Sequence, residues 1–390
     1  MKALIIGAGI GGMSAAAALK QQGIECEIFE AVKEIKPVGA ALSIWSNGVK
    51  CMNHLGMAHI MDDLGGPMLS MAYHDGISGT AMTEFSLAPL VEAVGERPCP
   101  VSRAGIQSQM IAYWGRKNIH FGKRVERVSQ TEDSVTAYFT DGSSATGDFM
   151  IAADGGRSII RNHVLGYQVE RRYAGYVNWN GLVDIDPNIA PAEQWTTYVA
   201  EGKRVSIMPI AGGQFYFFFD VPLPLGLEEN RDTLIDDLKS YFKGWSDQVQ
   251  LLIDSINPQT TNRVEIHDIE PFPTLVKGNI ALLGDSAHST TPDIGQGGCS
   301  AMEDSVVLGQ CFAKLSSNLT HESVALALKD YEEQRRDRVK DLVLKARKRS
   351  EVTHGENMQE TQAWYDELKL ETGENIIAGL KTTILGGPLG

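Results

Sequence analysis

Gly7-Ala8-Gly9-Ile10-Gly11-Gly12 decides how this chain is read. It follows a short apolar run, Ala3 to Ile6, that fits a buried strand. It precedes Ser14 to Gln22, which fits a helix ending near Gly23. Gly7, Gly9 and Gly12 satisfy the G-x-G-x-x-G spacing. Residues this small let a backbone approach a pyrophosphate, and the helix N-terminus faces its negative charge. Glu25 to Phe29 reads as a second strand. Glu30 then offers, about 20 residues on, a carboxylate that can accept both ribose hydroxyls of an adenosine. The pattern alone is weak, because glycine turns are common. Between two strands, at the mouth of a helix, and with Glu30 in place, it reads as a dinucleotide site opening a doubly wound sheet.

Outward from that unit, Ser102 to Trp114 reads as a helix. Val125 to Ser129, Val135 to Phe139 and Phe149 to Ala153 read as strands, with Asp141-Gly142 as a turn. From Tyr173 aromatic residues become dense and strands alternate around glycine turns: Tyr173 to Val183, Trp195 to Val199, Val205 to Ile210 and Phe215 to Val221. This is the pattern of an antiparallel sheet with one face on a cleft. Arg231 to Trp245 reads as helix, Ile280 to Leu283 as one more buried strand, and Ser300 to Ala313 and Ala325 to Arg349 as helices. The expected organisation is interleaved. A nucleotide-binding domain uses 1–70, 100–170 and 275–345; a substrate domain uses 71–99 and 171–274; a helical segment spans 346–390.

Composition narrows the function. The 390 residues are 43% hydrophobic and 22% charged, an ordinary globular balance. A net charge of −14 repels phosphate backbones, so no nucleic-acid partner is expected. Cys26, Cys51, Cys99, Cys299 and Cys311 are scattered and odd in number, which suits a reducing cytoplasm and neither a disulfide framework nor a metal site. No stretch has the roughly 20 apolar residues of a membrane span. The glycines from Gly7 to Gly12 also interrupt the N-terminal run where a secretion signal would want a continuous helix. The reading is a soluble, cytoplasmic enzyme without metal. A homodimer is left open.

Two further blocks carry chemistry. One is Asp154-Gly155 with Ser158 and Arg161. The other is Gly284-Asp285-Ser286-Ala287-His288, continuing through Pro292 to Gly295-Gln296-Gly297-Gly298. Asp285, at the end of a parallel strand, can hold a ribityl hydroxyl. The glycine run ahead of a helix aims backbone N–H groups and a positive dipole at whatever sits above, and such a helix end would stabilise the negative charge of a reduced flavin. The set GAGIGG, ADGGRSIIR (Ala153 to Arg161) and GDSAHSTTPDIGQGG (Gly284 to Gly298) resembles the FAD-dependent aromatic hydroxylases. The resemblance spans nearly the whole chain. It implies an α/β fold: a Rossmann-like FAD-binding domain with an inserted antiparallel β-sheet substrate domain, like para-hydroxybenzoate hydroxylase. Two positions depart from the family pattern: Ser286 stands where alanine is usual, and Cys299 where asparagine is usual.

Longer stretches are similar to the urate-hydroxylating bacterial branch of that family. They are Glu30 to Trp45, Arg171 to Val183, Gly202 to Pro209, Phe215 to Pro224 and Thr260 to Phe272. This resemblance implies that NADH reduces FAD, that O2 forms a flavin hydroperoxide, and that its terminal hydroxyl passes to C5 of urate, giving 5-hydroxyisourate. It further implies Arg204 and Tyr216 as substrate-activating residues and Asn178 as a substrate contact. As FAD contacts it implies Gly11, Glu30, Ala31, Ser43, Arg103, Val125, Asp285 and the loop Ile294, Gly295, Gln296, Gly297 and Gly298, beside Gly7, Gly9 and Gly12.

The residues agree. One dinucleotide fold is present, and a reductase with its own nicotinamide domain would show a second G-x-G-x-x-G. If Ala211-Gly212-Gly213 turns the chain, Met208 opposes Tyr216, Ser206 opposes Phe218 and Arg204 opposes Asp220. Arg204, Ser206, Tyr216 and Phe218 then share one face, and Val205, Ile207, Phe215, Phe217 and Phe219 point into the core. A surface ion pair between Arg204 and Asp220 is the competing reading. His288 reads as a packing or cap residue more than a base, and Cys299 as packing more than a reactive thiol. Arg335 to Arg349 holds eight Lys/Arg in 15 residues and reads as an amphipathic helix with a solvated basic face. Two other functions stay open: hydroxylation of another small aromatic acid, salicylate-like, and a non-hydroxylating flavin oxidase or redox sensor.

Overall fold

A computed structural model describes residues 1–34, 40–227, 230–315 and 319–390; positions 35–39 of the Glu30–Trp45 stretch lie outside the described residues. The first sheet has six strands, in the order Val276–Lys277, Ile280–Leu282, Phe149–Ala152, Lys2–Ile6, Glu25–Glu30 and Ile119–Phe121. All neighbours run parallel except the first pair. Ala3, Leu4, Ile5 and Ile6 are buried, as are Phe149 to Ala152, because a parallel sheet is covered on both faces. The helix Ile10–Gln21 begins earlier than expected, inside the glycine run. Its Ala15 to Ala18 stripe lies against the helix Gly297–Ala313, close enough that a Cβ on Gly309 would meet Ala18 Cβ at 3.2 Å.

The second sheet has seven strands: Asn262–Ile269, Arg171–Asp184, Gln214–Pro222, Lys203–Ile210, Gln194–Ala200, Ser70–Asp75 and Ala81–Ser86. It departs from the expected antiparallel sheet at one place, where Gln194–Ala200 pairs parallel with Ser70–Asp75. More than a hundred residues separate those strands, so no hairpin dictates their direction. The Lys203–Ile210 and Gln214–Pro222 hairpin has the expected register: Arg204 opposes Asp220, Ser206 opposes Phe218, and Met208 opposes Tyr216. Val205, Ile207, Phe215, Phe217 and Phe219 are fully buried in one cluster with Leu238, Phe242 and Leu252.

Three helices correct the sequence reading. Arg231–Trp245 is not continuous: Leu234–Tyr241 ends before Gly244, which adopts φ +78°, and Asp247–Ser255 follows. Ala325–Arg349 is the middle of a longer helix, His321–Thr353, started by a reciprocal Thr320–Ser323 cap. Its basic face is not simply solvated. Arg335 is buried on Glu303 and Asp304, Arg338 pairs with Glu303, and Arg347 pairs with Asp268 and Glu270. Among the described residues no helix is long and apolar enough to cross a membrane, and no group of His, Cys, Asp or Glu is arranged to hold a metal ion.

Candidate active site

The glycine turn is built for close approach. Gly7 takes φ +110°, and a Cβ there would lie 2.2 Å from the Ala153 carbonyl oxygen. A Cβ on Gly12 would lie 1.9 Å from the Gly7 carbonyl oxygen, and one on Gly11 would meet Leu283 at 2.8 Å. Gly9 differs: its Cβ would meet no protein atom within 4 Å. Gly7, Gly11 and Gly12 therefore serve the packing of turn, strand and helix, while Gly9 presents bare backbone outward. Glu30 closes the turn, its carboxylate accepting from the Ala8 N–H at 2.8 Å and the Val32 N–H at 3.0 Å, with Ala31 between. Gln107 reaches the same turn, donating to the Ala8 carbonyl at 3.2 Å. The sequence reading had not singled it out.

The other predicted cofactor residues lie on six separate elements. Ser43 is in the strand Ala41–Ile44, and Arg103 is the exposed first residue of the helix Arg103–Trp114. Val125 begins the strand Val125–Gln130. Asp285 lies beyond the strand rather than in it, opening the short helix Asp285–His288 with its side chain exposed. Pro292–Ile294 is a single tight turn, and Gly295 follows at φ +62°. A Cβ on Gly295 would sit 2.6 Å from both Ser43 Oγ and Trp45 Nε1, so only a glycine lets this loop pass Ser43. Gly297 and Gly298 then start a helix of 17 residues whose first amides have no side-chain cap. Bare backbone at Gly9, carboxylates at Glu30 and Asp285, and an uncapped glycine-rich helix start fit the pyrophosphate, ribose, ribityl and pyrimidine parts of FAD.

The loop is held by two buried ionic clusters. Asn47 donates to Gln296 Oε1 at 2.8 Å and to Glu303 at 2.7 Å. Glu303 and Asp304 share Arg335, and Asp304 accepts from the Gly284 N–H at 2.9 Å and meets His288 Nε2 at 2.6 Å. Burial would raise the Asp304 carboxyl, but His288 and Arg335 hold it down at about 2. His288 is thus committed to structure. So is Cys299: its sulfur accepts from the Trp45 N–H at 3.4 Å, and burial pushes its thiol up to about 12.

The second cluster joins the loop to the sheet. Asn178, Asp220 and Arg204 form one row across three strands. Arg204 Nε donates to Asp220 at 2.7 Å and Arg204 Nη2 to Asp293 at 3.0 Å. Asn178 donates to Asp220 at 2.6 Å, and Asn180 donates to Asn178 at 2.6 Å. The Tyr176 hydroxyl donates to the other Asp293 oxygen at 2.8 Å. The Arg204–Asp220 pair of the competing reading therefore exists, but it is not on the surface: Asp220 is 0% exposed and Arg204 9%. Burial opposes the charge on Arg204, yet Asp220 and Asp293 raise its pKa above the ordinary value. Asp293 is likewise held low by Arg204 and His354 against its burial.

Tyr216 stands on the same face, its ring 5.5 Å from Phe218, over which the Arg204 guanidinium lies at 5.2 Å. Burial, with Asp220 beside it, keeps the Tyr216 phenol protonated and a donor. Ser206 faces the same way but is used internally, accepting from Trp195 Nε1 at 2.6 Å. Asp293, Tyr176 and His354 are the participants that the sequence reading did not name. Asp293 lay within the quoted Gly284–Gly298 block, and its place between Pro292 and Ile294 was the available signal.

Comparison with known proteins agrees with this layout. A family model described as the FAD binding domain matches residues 1–346. An FAD-dependent urate hydroxylase of Klebsiella pneumoniae is 65% identical over 390 residues, covering 100% of both chains. The crystal structure of Klebsiella pneumoniae HpxO complexed with FAD and uric acid has a TM-score of 0.97 at 64% identity, covering 100% of this chain and 98% of that one. A salicylate hydroxylase substrate complex shares the fold, with a TM-score of 0.79 at 21% identity over 100% of this chain and 99% of that one.

Proposed function

The chain belongs to the FAD-binding-domain family and within it to the FAD-dependent urate hydroxylases, and from that premise we propose that it hydroxylates urate at C5 to 5-hydroxyisourate with NADH and O2. The observation that carries this reading is Arg204, buried between Asp220 and Asp293 on the face that meets the Pro292–Ile294 turn. Urate is flat, polar and anionic near neutral pH, so it needs a fixed cation and amide groups more than a greasy pocket. Arg204 supplies the cation. Its Nε and Nη2 are occupied by carboxylates, which fixes the plane of the guanidinium before any ligand arrives. Asn178 is oriented by Asp220 and Asn180, and Tyr216 keeps a hydroxyl proton with which to align the substrate.

Gly9, with Gly7, Gly11 and Gly12 of the same turn, Glu30, Ala31, Ser43, Arg103, Val125, Asp285 and the Ile294–Gly298 loop are the residues proposed to hold FAD. When bound, FAD supplies reduction by NADH and activation of O2. The protein's part is to hold the substrate ring against it, to stabilise negative charge as the ring becomes a nucleophile, and to keep water from competing. Cytoplasmic location is part of the same proposal. The test is to incubate the purified yellow protein with NADH, O2 and a panel of aromatic acids. Urate-dependent NADH oxidation with one hydroxylated product per NADH is expected. Turnover of a salicylate-like acid but not urate would replace the substrate, and NADH oxidation giving only hydrogen peroxide with every acid would remove the hydroxylase reading.

A further inference from the structure

The sheet face that carries Arg204 has a second half. Thr196 opposes Ile207 and Thr197 opposes Ser206, a register that sets Trp195 opposite Met208. Met208 opposes Tyr216, and Tyr216 opposes Leu182. Trp195, Met208, Tyr216 and Leu182 thus form one row across four strands. Each lies four residues along its strand from the row of Val199, Arg204, Asp220 and Asn178, roughly 13 Å away and on the same face. Phe218 stands between the two rows, with the Arg204 guanidinium on one side and the Tyr216 ring on the other. The face therefore has a charged end that can hold an anion and an aromatic end that can shape what extends from it.

Trp195 is the member of that row with the least freedom. Its indole N–H donates inward to Ser206 Oγ at 2.6 Å, and Thr197 Oγ1 holds Ser206 in turn at 2.8 Å. The side chain can therefore offer a ligand ring surface and no hydrogen bond. Thr197, Ser206 and Met208 at its foot are buried, whereas Trp195, like Tyr216, keeps part of its surface open. Its other neighbour is Trp45, with ring centroids 5.8 Å apart and planes tilted by 45°. Trp45 belongs to the cofactor side, since a Cβ on Gly295 would lie 2.6 Å from its Nε1. Trp195 thus reaches from the substrate sheet toward the loop proposed to hold the flavin, at the end of the face away from Arg204. A flat bicyclic anion held by Arg204 turns its far edge to this wall. We propose that Trp195 is a specificity-determining residue, whose ring bounds the substrate space opposite Arg204 and admits an unsubstituted ring edge but not one that carries an N-alkyl group. The inference rests on the reading of Arg204 as the urate contact.

The test titrates the FAD-loaded full chain, followed by flavin absorbance, with urate and with urates methylated at each ring nitrogen in turn. The wild-type protein is expected to bind at least one methylurate roughly tenfold or more weakly than urate, the size of one misplaced methyl group in a closed pocket. Trp195→Ala should recover that methylurate selectively, narrowing its Kd ratio to urate by roughly tenfold, with FAD content kept. Trp195→Phe should recover it less. Ser206→Ala, which frees the indole, should shift the ratio in the same direction, and these two variants decide the matter if Trp195→Ala fails to fold. Equal binding of every methylurate by the wild-type protein overturns the proposal. So do unchanged ratios in the variants, and so does a gain shared alike by all the methylurates, which marks general loosening of the fold. A wild-type protein that binds neither urate nor any methylurate removes the underlying assignment of Arg204 instead.

Discussion

Glycines 9 and 12 sit three residues apart in one motif and separate two kinds of cost. A methyl group at Gly12 would strike the Gly7 carbonyl, whereas at Gly9 it would meet no protein atom. Gly12→Ala should therefore lower the melting temperature of the FAD-free protein. Gly9→Ala should leave that temperature nearly unchanged and weaken FAD, because its methyl points where the pyrophosphate is proposed to lie. Thermal melts of the two apoproteins, set beside their FAD affinities, check the distinction; equal losses of stability would contradict it. Arg204→Gln addresses the substrate side. FAD should stay bound, hydroxylation should fall by roughly 10²–10³-fold, the size of losing one preorganised donor, and NADH consumption should yield hydrogen peroxide. Quantifying peroxide and 5-hydroxyisourate per NADH decides it; wild-type product yield would move the substrate cation elsewhere.

At the scale of elements, the pairing of the helices Gly297–Ala313 and His321–Thr353 depends on Arg335, which bridges two buried carboxylates. Arg335→Met would take one cation from each carboxylate, leaving Glu303 to Arg338 and Asp304 to His288, and should cost at most about 3–5 kcal/mol, read as a lower denaturant midpoint with weakened FAD retention. A midpoint like that of the wild type would mean that Arg338 and His288 suffice. This bridge also marks where sequence reasoning stops. The Arg204 hairpin was legible because Gly212-Gly213 fixes the turn and the alternating Phe215, Phe217 and Phe219 fix the register. The nucleotide unit was legible because its strand, turn and helix are contiguous. Arg335 with Glu303, and Asp293 with His354, are joined only by the fold, and nothing local marks a basic residue on an amphipathic helix as buried. The false continuity of Arg231–Trp245 has a similar source: apolar periodicity ran through Gly244, whose left-handed backbone ends any helix.

For the molecule as a whole, the buried clusters set the response to acid. Burial works against the Asp304 carboxylate, but His288 and Arg335 bring its folded pKa to about 2, below the roughly 3.9 of an unfolded aspartate. Its ionisation thus stabilises the fold above pH about 4, and that contribution fades as pH falls toward 2. Asp293 is shifted in the same direction. FAD fluorescence should rise as the cofactor is released on acidification through this range, together with loss of near-ultraviolet circular dichroism. Release complete well above pH 5 would point to another group.

The order of strands in the nucleotide sheet has one more consequence. The strand Ile280–Leu282 pairs with Phe149–Ala152, which in turn pairs with Lys2–Ile6, and the loop proposed to hold the flavin comes later still. A ribosome therefore makes the glycine turn nearly three hundred residues before the other half of the same site. Until then the nascent chain carries an exposed apolar strand edge with no partner, a state prone to aggregation and dependent on chaperones. The proposed FAD site is accordingly complete only once both halves have been made, and the supply of FAD in the cell is expected to act on folding yield as well as on turnover.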